Sequence, residues 1–453
     1  MSLHGLRPNT HAAAAGVLFW FRNDLRLHDQ PALSRAIALA HAQETWLLPV
    51  WVHDAHGQAL TRWGFQRVGP LRDAWTRMAV QAVSAQLTAL GSTLVEAQGD
   101  PVQILSDLAH SLGAAWVVCE DIAAPEEQAQ VDALRRSGVA VETVWQSTCM
   151  APESLPFAPD ALPDVFTAFR QSLLRHGVNA TAPLPRITAL PPLPAAAQLH
   201  AARSRLALAA PAAQPTTPAP DARAAFPWDR GDFHGGERAA LAHLAQYAER
   251  GLPHTYKATR NGLIGTDYSS KWSPWLATGA LSARTAWAAV AAFEATHGAN
   301  EGTDWLRFEL LWRDYFRWLH RKYGRRLYGA TGLKSVAPPR HNPAAFERWC
   351  QGQTGEAFMD AGMRELARTG YLSNRMRQNV ASFLVHDLGC DWRAGAAWFE
   401  ATLIDYDVYS NQGNWLYVSG HGTDPRPNRR FNPALQAQNY DPDGAYRALW
   451  AKP

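Results

Sequence analysis

The feature that most constrains this chain is a change of periodicity near residue 226. Before it, short apolar runs alternate with amphipathic stretches, so residues 17–21, 46–52, 92–97, 115–119 and 139–144 predict strands. Between them, 31–43, 70–90, 101–112 and 126–137 carry apolar residues at helical spacing, as with Trp75, Met78, Val83 and Leu87. Strands that are apolar throughout need cover on both faces, and strand-helix alternation supplies crossover connections. Together these predict a doubly wound parallel sheet. After Phe226 the strand patterns vanish: 235–250, 282–296, 304–323, 357–369, 373–388 and 394–405 read as helices, so the second half is expected to be all-α. Ten of the 30 prolines fall between Ala180 and Trp228, among alanine runs that cannot bury enough surface to fold alone. The expected organisation is an α/β domain over 1–175, a Pro/Ala-rich connector over 176–227 and a helical domain over 228–453, with a return to loop at 419–432.

Composition narrows the function classes. With 453 residues, 18% charged and 47% hydrophobic, the chain can bury several cores and is too apolar to be mostly disordered. Its cysteines, Cys119, Cys149, Cys350 and Cys390, form no CxxC pair, which argues against a disulfide framework or a thiolate zinc site. The apolar run at 46–52 is far short of the roughly 20 residues that span a bilayer, and no charged n-region precedes an apolar h-region. A cytoplasmic monomer with no membrane partner is the expectation. The net charge of +3 hides a division: residues 1–175 carry 12 basic against 17 acidic side chains, whereas 226–453 carry 27 against 22. A basic helical half suits a polyanionic partner as well as an ordinary solvated surface. The turn after the first strand, FRNDLRLHD, lacks a glycine-rich dinucleotide fingerprint, which disfavours a Rossmann dehydrogenase. Of 19 tryptophans, 12 lie from Trp228 onward, as core packing between helices would use them.

Four stretches of the helical half carry polar residues that an ordinary helical core would not tolerate. In the stretch from Tyr268 to Pro274, Ser269, Ser270, Lys271 and Ser273 precede a short helical run, which suits either a plain N-cap or a helix start that holds phosphates. RFELLWRDYFRWL sets Glu309 and Arg313 at i,i+4 with Trp312 beside them, which reads as a surface ion pair or as a base-stacking platform flanked by charge. SNRMRQNVASFL crowds Asn374, Arg375, Arg377, Gln378 and Asn379 at a helix entrance, where they need acceptors. DYDVYSNQGNWLY brings Asp405, Asp407, Asn411 and Trp415 into one turn-rich segment, where paired aspartates also suit a metal or a helix stop.

These stretches, together with MRELARTGYLSNRMRQNVASFLVHDLGCDWRAGAAWFE and, in the first domain, FRNDLRLHD and LPDVFTAFR, resemble the photolyase/cryptochrome family, specifically its cryptochrome-DASH branch. The resemblance covers nearly the whole chain, with several long motifs in family order. It implies an N-terminal α/β antenna domain and a helical domain that holds a folded FAD. By position, Tyr256, Ser269, Ser270, Lys271 and Ser273 fall where the family holds the flavin's phosphates and ribityl chain, and Glu309 and Arg313 fall on the wall shared by FAD and substrate. Arg377 and Asp405 match residues beside the flavin ring, Asp407 a ring and ribityl contact, and Asn411 the residue facing flavin N5. The aspartates are thereby assigned to flavin, and no metal is expected.

The implied reaction is repair of a cyclobutane pyrimidine dimer by an electron from light-excited reduced FAD, and proteins of this branch favour lesions in single-stranded DNA. The expected partner is dimer-containing single-stranded DNA, duplex loops included, with RNA binding left open. Glu309 would hydrogen-bond the dimer, Trp312 would stack on it, and Asn374, Gln378 and Tyr417 would line the pocket. Tyr417 and Gln378 stand where duplex-active relatives carry a second Trp and a Met, a smaller apolar wall to offset the cost of base flipping. Two departures follow. Ile122, ahead of Glu126 and Glu127, replaces a glutamate that anchors a methenyltetrahydrofolate antenna, which puts that antenna in doubt. The family's electron chain of three tryptophans has counterparts in Trp415 and Trp392, but Pro339 occupies the outer position, leaving Trp349 or a tyrosine as candidate outer donors. The competing readings are a blue-light receptor that uses the same flavin without repair, and a flavoprotein electron carrier, which the basic half disfavours.

Overall fold

A computed structural model describes residues 16–205, 221–424 and 430–452. Five parallel strands, β1 (Gly16–Trp20), β2 (Leu47–Asp54), β3 (Val95–Gly99), β4 (Ala114–Glu120) and β5 (Ala140–Val144), form one sheet in the order β3-β2-β1-β4-β5. Central β1 pairs on both sides, Phe19 lying opposite Pro49 of β2 and Val118 of β4. Its side chains alternate between two cores because successive Cβ atoms point to opposite faces. Val17 and Phe19 pack with the helices Pro31–Ala42 and Pro70–Ala89, whereas Leu18 and Trp20 pack with Pro101–Leu112 and Pro125–Arg136. The chain is therefore α/β with a doubly wound parallel sheet, followed by a helical half, as the periodicity predicts. Proline stands at the first position of all four of these helices, where its missing N–H leaves no orphan and its fixed φ suits the helix.

The connector is not featureless. Its backbone runs along the sheet domain, with the Pro192 carbonyl accepting from Leu47 N–H at 3.0 Å and Ile187 N–H donating to Leu27 at 3.0 Å. Residues Ala196–Arg205 form a helix that the proline-rich composition conceals.

The two halves are joined through the FRNDLRLHD turn. Glu237, fully buried at the start of the helix Glu237–Glu249, accepts from the backbone N–H groups of Leu27 and His28, each at 3.0 Å, and pairs with His28 Nδ1 at 2.8 Å. Arg26 donates to the Gly279 carbonyl at 3.0 Å. Gly279 has φ +73°, and a Cβ there would lie 2.0 Å from the Asn23 carbonyl oxygen, so this crossing of backbones requires glycine.

Two local readings need correction. The segment expected to be turn-rich is the helix Val408–Ser419, because Asp407 caps it by accepting from Ser410 N–H at 2.8 Å. The helix expected over 373–388 runs as α-helix only through Asn374–Ser382 and continues as a π-turn at Phe383–Asp387. Part of the loop expected at 419–432 lies outside the described residues.

Candidate active site

Four stretches far apart in sequence close around one cavity of about 380 Å³. The first is the loop Tyr268–Trp272, in which Ser269 and Lys271 hold φ +58° and +60°. Such angles are costly for residues with a Cβ. Left-handed residues on either side of Ser270 are the kind of backbone from which anion nests are built. Lys271 is 2% exposed and its Nζ has no hydrogen-bond partner, lying 3.0 Å from the Tyr268 ring centroid. Burial pulls that amine well below the usual lysine range. Ser273 then opens the helix Ser273–Thr278, and Tyr256, deeply buried, completes this end of the cavity.

The second stretch is the helix Glu301–Tyr323, started by an Asn300 capping box. Glu309, Trp312, Arg313 and Phe316 line the cavity from it, at spacings that share one helical face. Glu309 and Arg313 do not pair with each other. The Glu309 carboxylate accepts from Arg260 at 2.5 Å and from Trp305 Nε1 at 3.1 Å. Burial raises its pKa, while Arg260 and then Trp305 pull it back. Arg313 donates to the carbonyls of Ser147 and Leu276, and burial, reinforced by Arg317, lowers it to about 10.

The third stretch is the helix Asn374–Ser382, capped by Ser373. Asn374, Arg377 and Gln378 face the cavity at i, i+3 and i+4. Gln378 accepts from Arg375 at 2.9 Å. Arg377 donates to Asp405 and to the Leu372 carbonyl, both at 2.8 Å. The other Asp405 oxygen is buried without a partner.

The fourth stretch carries Asp405, Asp407 and the helix behind them. Asp407 pairs with Arg317 at 2.5 Å; burial opposes its charge, but Arg317 and Arg313 outweigh burial and hold its carboxyl down at about 2. Both aspartates are thus matched with arginines. Tyr417 lines the cavity and meets the edge of Trp312, ring centroids 5.8 Å apart. Asn411 and Trp415 lie in an adjoining cavity of about 100 Å³ that shares Asp405, Asp407, Arg377 and Tyr417. Asn411 donates to the Ala396 carbonyl at 3.0 Å.

Trp392 lines neither cavity. It is fully buried, donates to the Ala330 carbonyl at 3.1 Å and has a ring contact with His421. Trp415 touches Phe399 at 5.1 Å and Trp349 at 6.4 Å between centroids. Trp349 therefore sits beside the inner ring, a different place from the outer one considered from sequence. Arg260 and Arg317 were not singled out in the sequence, since each meets its acid from a distant segment and no local spacing announces it.

The residues fit a folded dinucleotide-like flavin. Two features of its lining carry that fit: a buried amine with no hydrogen-bond partner on a loop with left-handed residues, suited to phosphates, and an orphan carboxylate oxygen beside a guanidinium, suited to ring N–H and carbonyl groups. A separate cavity of about 260 Å³ opens at the carboxyl ends of the strands, lined by Ile122, Glu126 and Glu127. There Arg67 is engaged with Glu126 at 2.5 Å and Glu400 at 2.6 Å, and Ile122 is 2% exposed.

Comparison with known proteins agrees with this geometry. A family model described as DNA photolyase matches residues 17–192, and one described as the FAD binding domain of DNA photolyase matches 305–452. The chain is 41% identical over 444 residues to cryptochrome DASH of Xenopus laevis, covering 96% of this chain and 82% of that protein. It is 41% identical over 443 residues to cryptochrome DASH of a Synechocystis species, covering 96% and 87%. Among solved structures, a Synechocystis cryptochrome superposes with a TM-score of 0.89 at 40% identity, covering 98% of this chain and 89% of that one. A class III photolyase from Agrobacterium tumefaciens gives 0.75 at 28% identity, covering 99% and 88%. The chain belongs to the photolyase/cryptochrome family, in its cryptochrome DASH branch, and its helical half is the FAD-binding domain.

Proposed function

We propose that this protein repairs cyclobutane pyrimidine dimers, mainly in single-stranded DNA, under blue light. The observation that carries the reading is that Glu309, Trp312, Asn374, Gln378 and Tyr417 line the same cavity as the residues assigned to the flavin, so a flipped-out pyrimidine dimer and the cofactor would share one chamber. When bound, FAD supplies light absorption and the loan of one electron, which breaks the two cyclobutane bonds and returns. The chain's own residues do the positioning. Lys271 and the loop N–H groups hold the phosphates, Arg377 offers positive charge beside the ring, and Asp405 accepts from it. Glu309 presents its carboxylate to the base edge, with Arg260 and Trp305 fixing its orientation. Trp312 offers a stacking face.

Preference for single strands is supported by the wall opposite. Gln378 is held by Arg375 and Tyr417 is smaller than a tryptophan, so little apolar surface is gained to offset the few kcal/mol that flipping from a duplex costs. The test is to illuminate the reduced holoprotein with dimer-containing single-stranded and duplex oligonucleotides and follow dimer loss. Glu309→Ala is expected to retain FAD and to lose most repair, because its carboxylate acts on the dimer. Full repair by that variant sinks the role of Glu309. Absence of dimer loss in the unmutated protein, with flavin photochemistry intact, favours a receptor that uses the same flavin.

A further inference from the structure

LPDVFTAFR, residues 162–170, contributes no residue to the large cavity, yet it is clamped onto the helix Glu301–Tyr323. Lys322 donates to the Leu162 carbonyl and to the Asp164 carboxylate, each at 2.7 Å, and the Tyr323 hydroxyl donates to the same carboxylate at 2.5 Å. The Tyr315 hydroxyl donates to the Asp164 carbonyl. Two residues on, Phe166 is 5% exposed and lies face to face with Trp312, centroids 3.9 Å apart and planes 8° from parallel. Phe308 and Tyr315 meet Phe166 edge-on, at 5.1 and 5.6 Å, so its own plane is fixed from two directions.

Trp312 lines the cavity and Phe166 does not; Phe166 instead lines an apolar slot of about 60 Å³ behind the indole. Trp312 lines both spaces and is thus a partition, backed by a ring stacked parallel to it. We infer that Phe166 is a positioning residue for substrate, holding the indole of Trp312 in the plane on which a flipped pyrimidine stacks. Without that ring, its volume joins the slot and the indole gains room to swing away from the cavity. Ordering it again on binding then costs affinity that a preset indole does not lose. The inference rests on the repair reading and adds to it a residue that touches neither flavin nor dimer.

The experiment uses the FAD-loaded full chain in the dark and measures anisotropy of a labelled single-stranded oligonucleotide with one thymine dimer, and of the same strand without it. Phe166→Ala is expected to weaken dimer binding about tenfold, within the range of one lost base-aromatic stack, and to leave undamaged-strand binding unchanged. Phe166→Tyr, which keeps the ring, restores it. On a Trp312→Ala background Phe166→Ala is expected to change nothing further, a result that a merely structural role would not produce. Flavin absorbance and melting temperature check folding, and Phe166→Leu, which fills the space without a flat face, carries the same expectation if the alanine variant does not fold. Dimer binding at the unmutated level in the alanine or leucine variant, or full additivity with Trp312→Ala, overturns the inference. If the unmutated chain binds both strands alike, the repair reading falls and the inference with it, an outcome distinguished because no variant is involved.

Discussion

Gly395, in the helix Trp392–Thr402, sets the position of Trp415, whose ring lines the smaller cavity beside the large one. A Cβ at this position would lie 2.1 Å from Cη2 and 2.6 Å from Cζ3 of Trp415, and 2.6 Å from Cδ2 of Leu384. Carbon atoms rest at about 3.5–4.0 Å, so Gly395→Ala must displace the indole by roughly 1.5 Å. Trp415 is 2% exposed, with Phe399 and Trp349 against it. The side that yields is the small cavity it lines with Asn411 and Asp405. Alanine in a helix interior gains about 1 kcal/mol over glycine, whereas overpacking costs about 1–3 kcal/mol. A 2.1 Å contact against a buried ring puts the cost in the upper part of that range, about 2–3 kcal/mol, so the expected net destabilisation is about 1–2 kcal/mol, at about 2–4 °C in Tm per kcal/mol for a domain of this size. Flavin retention should fall with it, since the ring moves into a cavity that shares Arg377, Asp405 and Asp407 with the larger one.

Gly362→Ala, in the helix Ala357–Thr369, is the control. Its Cβ meets Cε of Met376 at 2.7 Å and Cγ1 of Val380 at 3.2 Å. The methionine end is flexible and can swing aside, so the helix preference is expected to leave Tm unchanged or slightly raised. The assay is calorimetric melting beside the flavin-to-protein absorbance ratio. If Gly395→Ala melts no lower than Gly362→Ala and keeps its full flavin, the reasoning from ring displacement is wrong.

Glu120, 3% exposed at the end of β4, has a carboxylate oxygen without a partner, and burial pushes its pKa from 4.5 up to about 8. A raised folded-state pKa means stability is complete below about 4.5 and is lost as pH rises through about 8, so Glu120→Gln should raise Tm near pH 9 and not near pH 5; equal shifts at both pH values refute this. Since Trp349 touches Trp415, Trp349→Phe is expected to lower the yield of flavin photoreduction, and Trp392→Phe alone should not abolish it; time-resolved absorption that finds Trp349→Phe unaffected excludes this entry route. Binding to single-stranded DNA should weaken with salt at a log-log slope of about −0.7 per phosphate neutralised, and a flat response points to a different partner.

Much of the site was legible because its residues come as dense local clusters. Ser269 to Ser273, Glu309 with Trp312 and Arg313, and Asn374 to Gln378 each sit on a single turn or helix face, and the three faces meet in one cavity. What local spacing mispredicts is pairing. Glu309 and Arg313, at i,i+4, read as a surface ion pair or as the charged flanks of a stacking platform, and the ion pair does not form: each is engaged by a distant group, Glu309 by Arg260 and Arg313 by the Ser147 and Leu276 carbonyls. The capped helix Val408–Ser419 was also missed, because its glycine and asparagines are turn formers in isolation. Gly413 is needed there for another reason: a Cβ would lie 2.1 Å from the Phe316 ring.

By itself the sequence determined the layered sheet, the loss of strands after residue 226 and the local polar clusters that line one cavity, because periodicity and local motifs depend on neighbours within a few turns. Only tertiary structure decided that Asp407 belongs to Arg317, that Trp349 has ring contact with Trp415, and that a phenylalanine before the connector lies flat on Trp312. Partners separated by scores of residues are chosen by how helices dock, and docking is set by the shapes of all the buried side chains together, which no single stretch of sequence contains.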